Sequence, residues 1–177
     1  MVVKDPEIPS SNEDLGQSTL AQLRIRDAMN ATAETVNRIE AMRKQIEDLR
    51  SERGGEPAVE QALQQLDRKM LDVELMMLSR HDLHSDDKWY VEQYKLYMNL
   101  IWLSGMIGTG AGDVAGGADH RPTEAAMSVL AGLEAELAAA RAACGRLVET
   151  EVPSFNEAMK GKGLPSIGAS PATSPPP

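Results

Sequence analysis

The sequence predicts an all-α protein: an elongated antiparallel bundle of about four helices, two of them long, with a coiled-coil-like hairpin and a disordered C-terminal tail. Three observations predict it. Apolar residues recur at steps of three and four over long stretches, which gathers them on one helical face. Apolar residues make up 42% of the chain and aromatics only 3%, a palette of Leu, Ile, Val, Met and Ala that suits helix packing better than a β-sandwich. No stretch alternates apolar and polar residues as a half-buried strand would, and no internal repeat is present.

The elements follow in order. Residues 1–14 read as an extended linker, and Ser11 with Asp14 three residues on supplies a helix start, because a hydroxyl and a carboxylate at that spacing satisfy orphan amide donors. A long helix follows, in which Ile25, Met29, Thr32, Val36, Ile39, Met42, Ile46 and Leu49 share one face close to a coiled-coil seam. At "RSERGGEP" two glycines stop it, and Pro57 suits the first turn of the next helix. That second helix carries Val59, Leu63, Leu66, Met70, Val73 and Met77 at the same spacing, so the short link makes the pair an antiparallel hairpin that projects as a two-stranded coiled coil.

Ser85, Asp86 and Asp87 look like the cap of a third helix. Five of the six aromatics, Trp89, Tyr90, Tyr94, Tyr97 and Trp102, fall in or near it, which predicts the most enclosed helix of the set. After the glycine-rich stretch "GTGAGDVAGG" at 108–117, Thr123 restarts a helix whose apolar face runs through Met127, Leu130, Leu133, Leu137, Cys144, Leu147 and Val148. Pro153 is expected to kink or interrupt it, with Phe155 folded back on the core. The first and last helices, at roughly 38 residues, would be about 57 Å long, and the middle two about 30–36 Å. The helical domain is thus placed at 15–160 and a Pro/Ser/Gly-rich disordered tail at 161–177.

Charge and composition narrow the function. With 27 acidic against 18 basic residues the net charge is -9, which repels a phosphate backbone or an anionic leaflet, so nucleic acid is not an expected partner. The most apolar run, Leu96 to Gly108, falls short of the roughly 20 residues that span a bilayer, so no membrane span is expected. The N-terminal "MVVKDPEIPSS" has no basic segment followed by an apolar one, so no secretion signal is recognisable and the chain as written would stay in the cytoplasm. One cysteine, Cys144, excludes an intramolecular disulfide and a Cys-rich zinc site.

The motifs that could carry chemistry fail on spacing. A dinucleotide fingerprint needs its glycines between a strand and a helix, whereas this loop follows a helix, and Asp113 stands where the third glycine of Gly108, Gly110 and Gly112 would fall. No Gly-Lys-Ser/Thr is present for a phosphate loop. A structural crossover is the better reading. A di-iron bundle needs Glu-x-x-His pairs, but Leu78, His81 and Gly117 precede the histidines by three. His81, Asp82, His84, Asp86 and Asp87 have ligand-type chemistry at close spacing, so His81, His84 and Asp86 are the candidates for a metal site, against a solvated acidic turn. Cys144 lies in an alanine-rich helical face that offers no oxyanion hole, and reads as a core filler. The "NAT" sequon at Asn30 falls in mid-helix and reads as accidental. No carboxylate pair is marked by a pocket pattern, and no cofactor is implied.

As a set, "VVKDPEIPSS" at 2–11, "IRDAMNATAETVNRIEAMRKQIEDL" at 25–49, "LIWLSGMIGTGAGDVAGGADHRPTEAAMSVL" at 100–130 and "VPSFNEAM" at 152–159 resemble the C-terminal region of large bacterial proteins. These are labelled BNR (Asp-box) repeat glycosyl hydrolases or sortilin-type β-propeller proteins. The resemblance implies that the "KDP" stretch closes a propeller and that the helical region follows it, with any sugar-cleaving or peptide-binding residues upstream, so no catalytic residue carries over to this chain. It implies a fragment, an excised domain or a shortened gene product, and relatives that are typically exported. The expected function is a non-catalytic interaction or packing module for the upstream propeller, with self-association along the seam of the first two helices. The alternatives are a chain that completes a glycosidase or peptidase-like site, and a small metal-binding bundle.

Overall fold

The computed structural model describes residues 9–53, 55–79, 93–108 and 120–169. They form α1 (Asn12–Arg53), α2 (Pro57–Glu74), α3 (Leu96–Ile107), α4 (Glu124–Arg146), a π-helical turn (Leu147–Glu151) and α5 (Val152–Lys160). Among the described residues there is no strand, and the architecture is an all-α bundle.

Local chemistry sets the helix starts. The Ser11 hydroxyl accepts from the Asp14 N–H at 3.1 Å while the Asp14 carboxylate accepts from the Ser11 N–H at 3.1 Å and its hydroxyl at 2.6 Å, a complete capping box. Pro57 occupies the first turn of α2. The Thr123 side chain accepts from Ala126 N–H at 3.1 Å to open α4. With no proline and only Gly16 in its length, α1 runs on for 42 residues, about 63 Å.

The buried stripe of α1 is a heptad column: Ala21, Ala28, Thr35, Met42 and Leu49 alternate with Ile25, Thr32, Ile39 and Ile46. The sequence places Met29 and Val36 on this face; Val36 is buried, whereas Met29 is only partly so, Ala28 taking the inward place. Thr32 and Thr35 sit in the column because their hydroxyls donate to the Ala28 and Ala31 carbonyls at 2.8 and 2.7 Å, which removes the cost of burying them. Every apolar residue expected on the second helix, Val59 through Met77, is buried.

The middle of the bundle is a single column made of two helices in series. α1 packs on α2, α3 and α4; α4 packs on α2 and α3; and α5 closes on α2. At the junction the Tyr97 N–H donates to the Met77 carbonyl at 3.1 Å, so α3 resumes where α2 leaves off. The Ser18 hydroxyl then meets the Ile107 carbonyl at 3.2 Å, which puts the end of α3 beside the start of α1. Length explains the arrangement. α2 and α3 are about 27 and 18 Å long, and only end to end do they approach the lengths of α1, about 63 Å, and of the run from 124 to 160, about 55 Å. The two-helix hairpin therefore does not project: α4 packs on both of its helices, and the π turn and α5 pack on α2.

As expected, the α-helix is interrupted just before Pro153, by the π-helical turn, and helical backbone then continues through the proline as α5. The missing proline N–H would leave an α-helical carbonyl unpaired, but the wide turn just before it shifts the pattern, and the Val152 N–H reaches Leu147 O. The extra residue of such a turn lets Leu147 and Val152, five apart, both point inward, with Phe155 following.

Ion pairs lace the columns: Arg24 to Glu134 at 2.6 Å, Arg50 to Glu60 at 2.6 Å, Lys69 to Glu151 at 2.5 Å, and Arg121 to Glu13 and Asp14 at 2.7 and 3.0 Å. Exposed pairs of this kind contribute little each. The most enclosed is Arg43, which grips Asp67 at 2.8 Å and Glu74 at 2.7 Å. Burial opposes its charge, yet the two carboxylates outweigh that and hold its pKa above the ordinary value.

Two carboxyls are held below their ordinary values: Asp14 by hydrogen bonds from the Ser11 hydroxyl and N–H with Arg121 nearby, and Glu60 by hydrogen bonds from Arg50 and Gln64. Groups with a depressed folded pKa contribute stability that is present above the unfolded value, about 4, and is lost as pH falls through the folded one. The unfolding temperature is therefore expected to decline below about pH 4, and Asp14→Asn to flatten part of that decline in thermal melts followed by circular dichroism.

Residues 161–169, assigned by composition to a disordered tail, pack on the bundle. After a turn at 161–163 in which Gly163 takes φ 67°, residues 164–169 lie against α1 and α5, hydrogen-bonded to Arg38, Gln45 and Asn156, and Ile167 is buried. Residues 170–177 lie outside the described residues.

Candidate functional site

The metal candidates His81, His84 and Asp86, with the expected Ser85 cap, lie outside the described residues. Among the described residues no group of three or more His, Cys, Asp or Glu side chains comes together as a metal site. The third histidine, His120, is exposed, with its Nδ1 3.0 Å from the Arg121 carbonyl.

Cys144 is buried in α4, and burial pushes its thiol pKa up, the opposite of what a nucleophilic thiolate needs. Of the glycine stretch, Gly108 is described and 109–117 are not. Gly108 has a steric role. A Cβ there would stand 2.8 Å from the Ser104 carbonyl oxygen, and that oxygen is fixed by accepting the Gly108 N–H at 2.8 Å. Gly108→Ala is expected to destabilise the fold by about 1–3 kcal/mol, read as a lower urea midpoint with an unchanged slope.

A cleft of about 510 Å³ opens between α1 and α2, lined by Glu40, Arg43, Lys44, Glu47, Arg50 and Asp67. Its chemistry is already internally matched: Arg43 with Asp67, Lys44 with Glu47 at 3.2 Å, and Arg50 with Glu60. A general acid needs a raised carboxyl pKa, whereas Asp14 and Glu60 are both pushed down. None of these clusters assembles a nucleophile, base and oxyanion donors around one point.

Two surface features are better defined. The first is the outer face of α3, a helix without a single charged residue. Leu96, Leu100, Leu103 and Ile107 face the core, while Trp102 and Met106, one turn apart, are 57% and 70% exposed. Tyr94 stacks beside Trp102, ring centroids 6.3 Å apart and planes at 25°. Among the described residues, the helix expected to be most enclosed is thus covered on one side only. Its neighbours α1 and α4 contact it from the inner side, and apolar residues all round the helix leave a greasy outer face.

The second feature is the groove between α1 and α5 that holds residues 164–169. Asn156 on α5 pairs with both main-chain groups of Ile167: its amide N–H donates to the Ile167 carbonyl at 2.9 Å, and the Ile167 N–H donates to its Oδ1 at 2.9 Å. Gln45 on α1 does the same for Gly168, at 2.9 Å in both directions. Arg38 Nε donates to the Ala169 carbonyl at 3.2 Å. Sequence reading missed these residues; the available signal was the lone Ile167 in a segment otherwise rich in Pro, Ser and Gly.

Comparison with protein-family models, with curated proteins and with solved structures gives no match to this chain. Among the described residues no helix is long and apolar enough to cross a membrane.

Proposed function

We propose that the chain is a non-catalytic helical interaction and packing module that accompanies a β-propeller of the Asp-box or sortilin type, and that the outer face of α3 is where it docks. The resemblance of the four quoted stretches supports the propeller as partner. The observation that carries the docking face is the pairing of Trp102 and Met106 at 57% and 70% exposure on an uncharged helix. Large aromatic and methionine side chains of this kind anchor protein contacts, and an uncharged face avoids the repulsion that a net charge of -9 would otherwise bring.

Self-association along the seam of α1 and α2 is not part of the proposal, because that seam is buried within the chain's own bundle. The test is light scattering of the chain alone and mixed with an Asp-box propeller from the same genome. The expected result is a one-to-one complex with the propeller. A chain that stays a strict monomer in the mixture contradicts the proposal, and hydrolysis of glycoside reporters by the chain alone would replace it with an enzymatic one.

A further inference from the structure

α5 is docked on the bundle from one side only. It packs on α2 and on the π turn, and no part of its backbone packs on α1. The space between α5 and α1 is taken by residues 164–169, with Ile167 buried and Leu164 and Ala169 partly buried. This segment is what ties the two helices together. Asn156 on α5 pairs with the N–H and the C=O of Ile167, Gln45 on α1 pairs with both groups of Gly168, and Arg38 on α1 donates to the Ala169 carbonyl. Lys162 adds an ion pair to Glu56 at the N-terminus of α2, so three helices meet on one short stretch of chain.

The contacts depend on one another. An amide side chain that pairs with both main-chain groups of one residue fixes its orientation as well as its distance, so Asn156 aims Ile167 inward, and buried Ile167 in turn fills the side of α5 that faces α1. At 9 residues, α5 is too short to hold its helix in water without such docking. The π turn and Pro153 separate it from the regular hydrogen bonding of α4, which leaves α4 intact if α5 moves away. We propose that residues 161–169 are a clasp: α5 and the clasp form one conformational unit that opens and closes together, with Gln45 and Arg38 on α1 as its catch. The unit lies on the half of α1 away from α3 and stands independently of the propeller reading.

The test is amide hydrogen exchange of the full chain followed by NMR. In the wild-type chain, the amides of Asn156–Lys160 and those of Ile167 and Gly168 are expected to share one level of protection, below that of Ile39 in α1, as members of one cooperative unit do. Gln45→Ala is the decisive variant. Gln45 bonds Ala41 and Gly168 but nothing on α5, and alanine suits the middle of α1. Loss of this catch is expected to speed exchange about tenfold throughout α5 as well as at Ile167 and Gly168, with Leu130, Leu133 and Leu137 in α4 unchanged. Ile167→Asp is expected to have the same pattern and a larger effect. Acceleration confined to Ile167 and Gly168 while α5 is unmoved overturns the proposal, because α5 would then stand without the clasp. Equal acceleration in α1, α4 and α5, or an Ile167→Asp chain that does not fold, overturns it too, because the unit would then be inseparable from the rest of the bundle.

Discussion

Ile39→Ala is expected to cost the bundle about 2–5 kcal/mol, the range for removing a buried aliphatic side chain without collapse of the site, and to lower the melting temperature by roughly 10 °C in a chain of this size. Ile39 is fully buried in the middle of the α1 column, the one helix that packs on α2, α3 and α4 alike. The neighbouring exposed Glu40 serves as control, and Glu40→Ala is expected to stay within about 0.5 kcal/mol. Thermal and urea unfolding of the two variants measure both. A small loss at Ile39 would mean that the columns are looser than their burial indicates.

The double substitution Trp102→Glu with Met106→Lys is expected to act on binding instead. Truncation of a central anchor costs 2 kcal/mol or more, so losing both should weaken a propeller complex by at least about 100-fold. Stability should change little, because both side chains are exposed and the new pair at i,i+4 is favourable on a helix. The loss of the Tyr94 stacking contact is the main cost, about 0.5–1.5 kcal/mol. Calorimetric titration read beside a melting curve separates the two effects.

The fold was legible where a local rule decided the outcome. Ser11 with Asp14, Pro57 and Thr123 mark helix starts because they satisfy specific amide donors or tolerate lacking one, and those requirements lie within four residues. Steps of three and four expose a buried face for the same reason. What could not be read locally depends on which columns meet. The series arrangement of α2 and α3 follows from matching lengths across the bundle, and the apolar character of α3 does not say that only one side of it will find a partner. Pro153 signals a disturbance but not that a π turn absorbs it. The segment 164–169 looks like tail because its hydrogen bonds go to Asn156 and Gln45, 11 and 123 residues away. As for the site, the refusal of phosphate and thiol chemistry rested on spacing and helix position. Cys144 is buried in α4, and residues 109–117 of the glycine stretch, like His81, His84 and Asp86, lie outside the described residues.

Hydrogen exchange of the chain, alone and with an Asp-box propeller, tests the proposed docking face most directly. New protection confined to α3 around Trp102 and Met106 is the result expected. Unchanged exchange along α3, or protection that appears only on other helices, contradicts it.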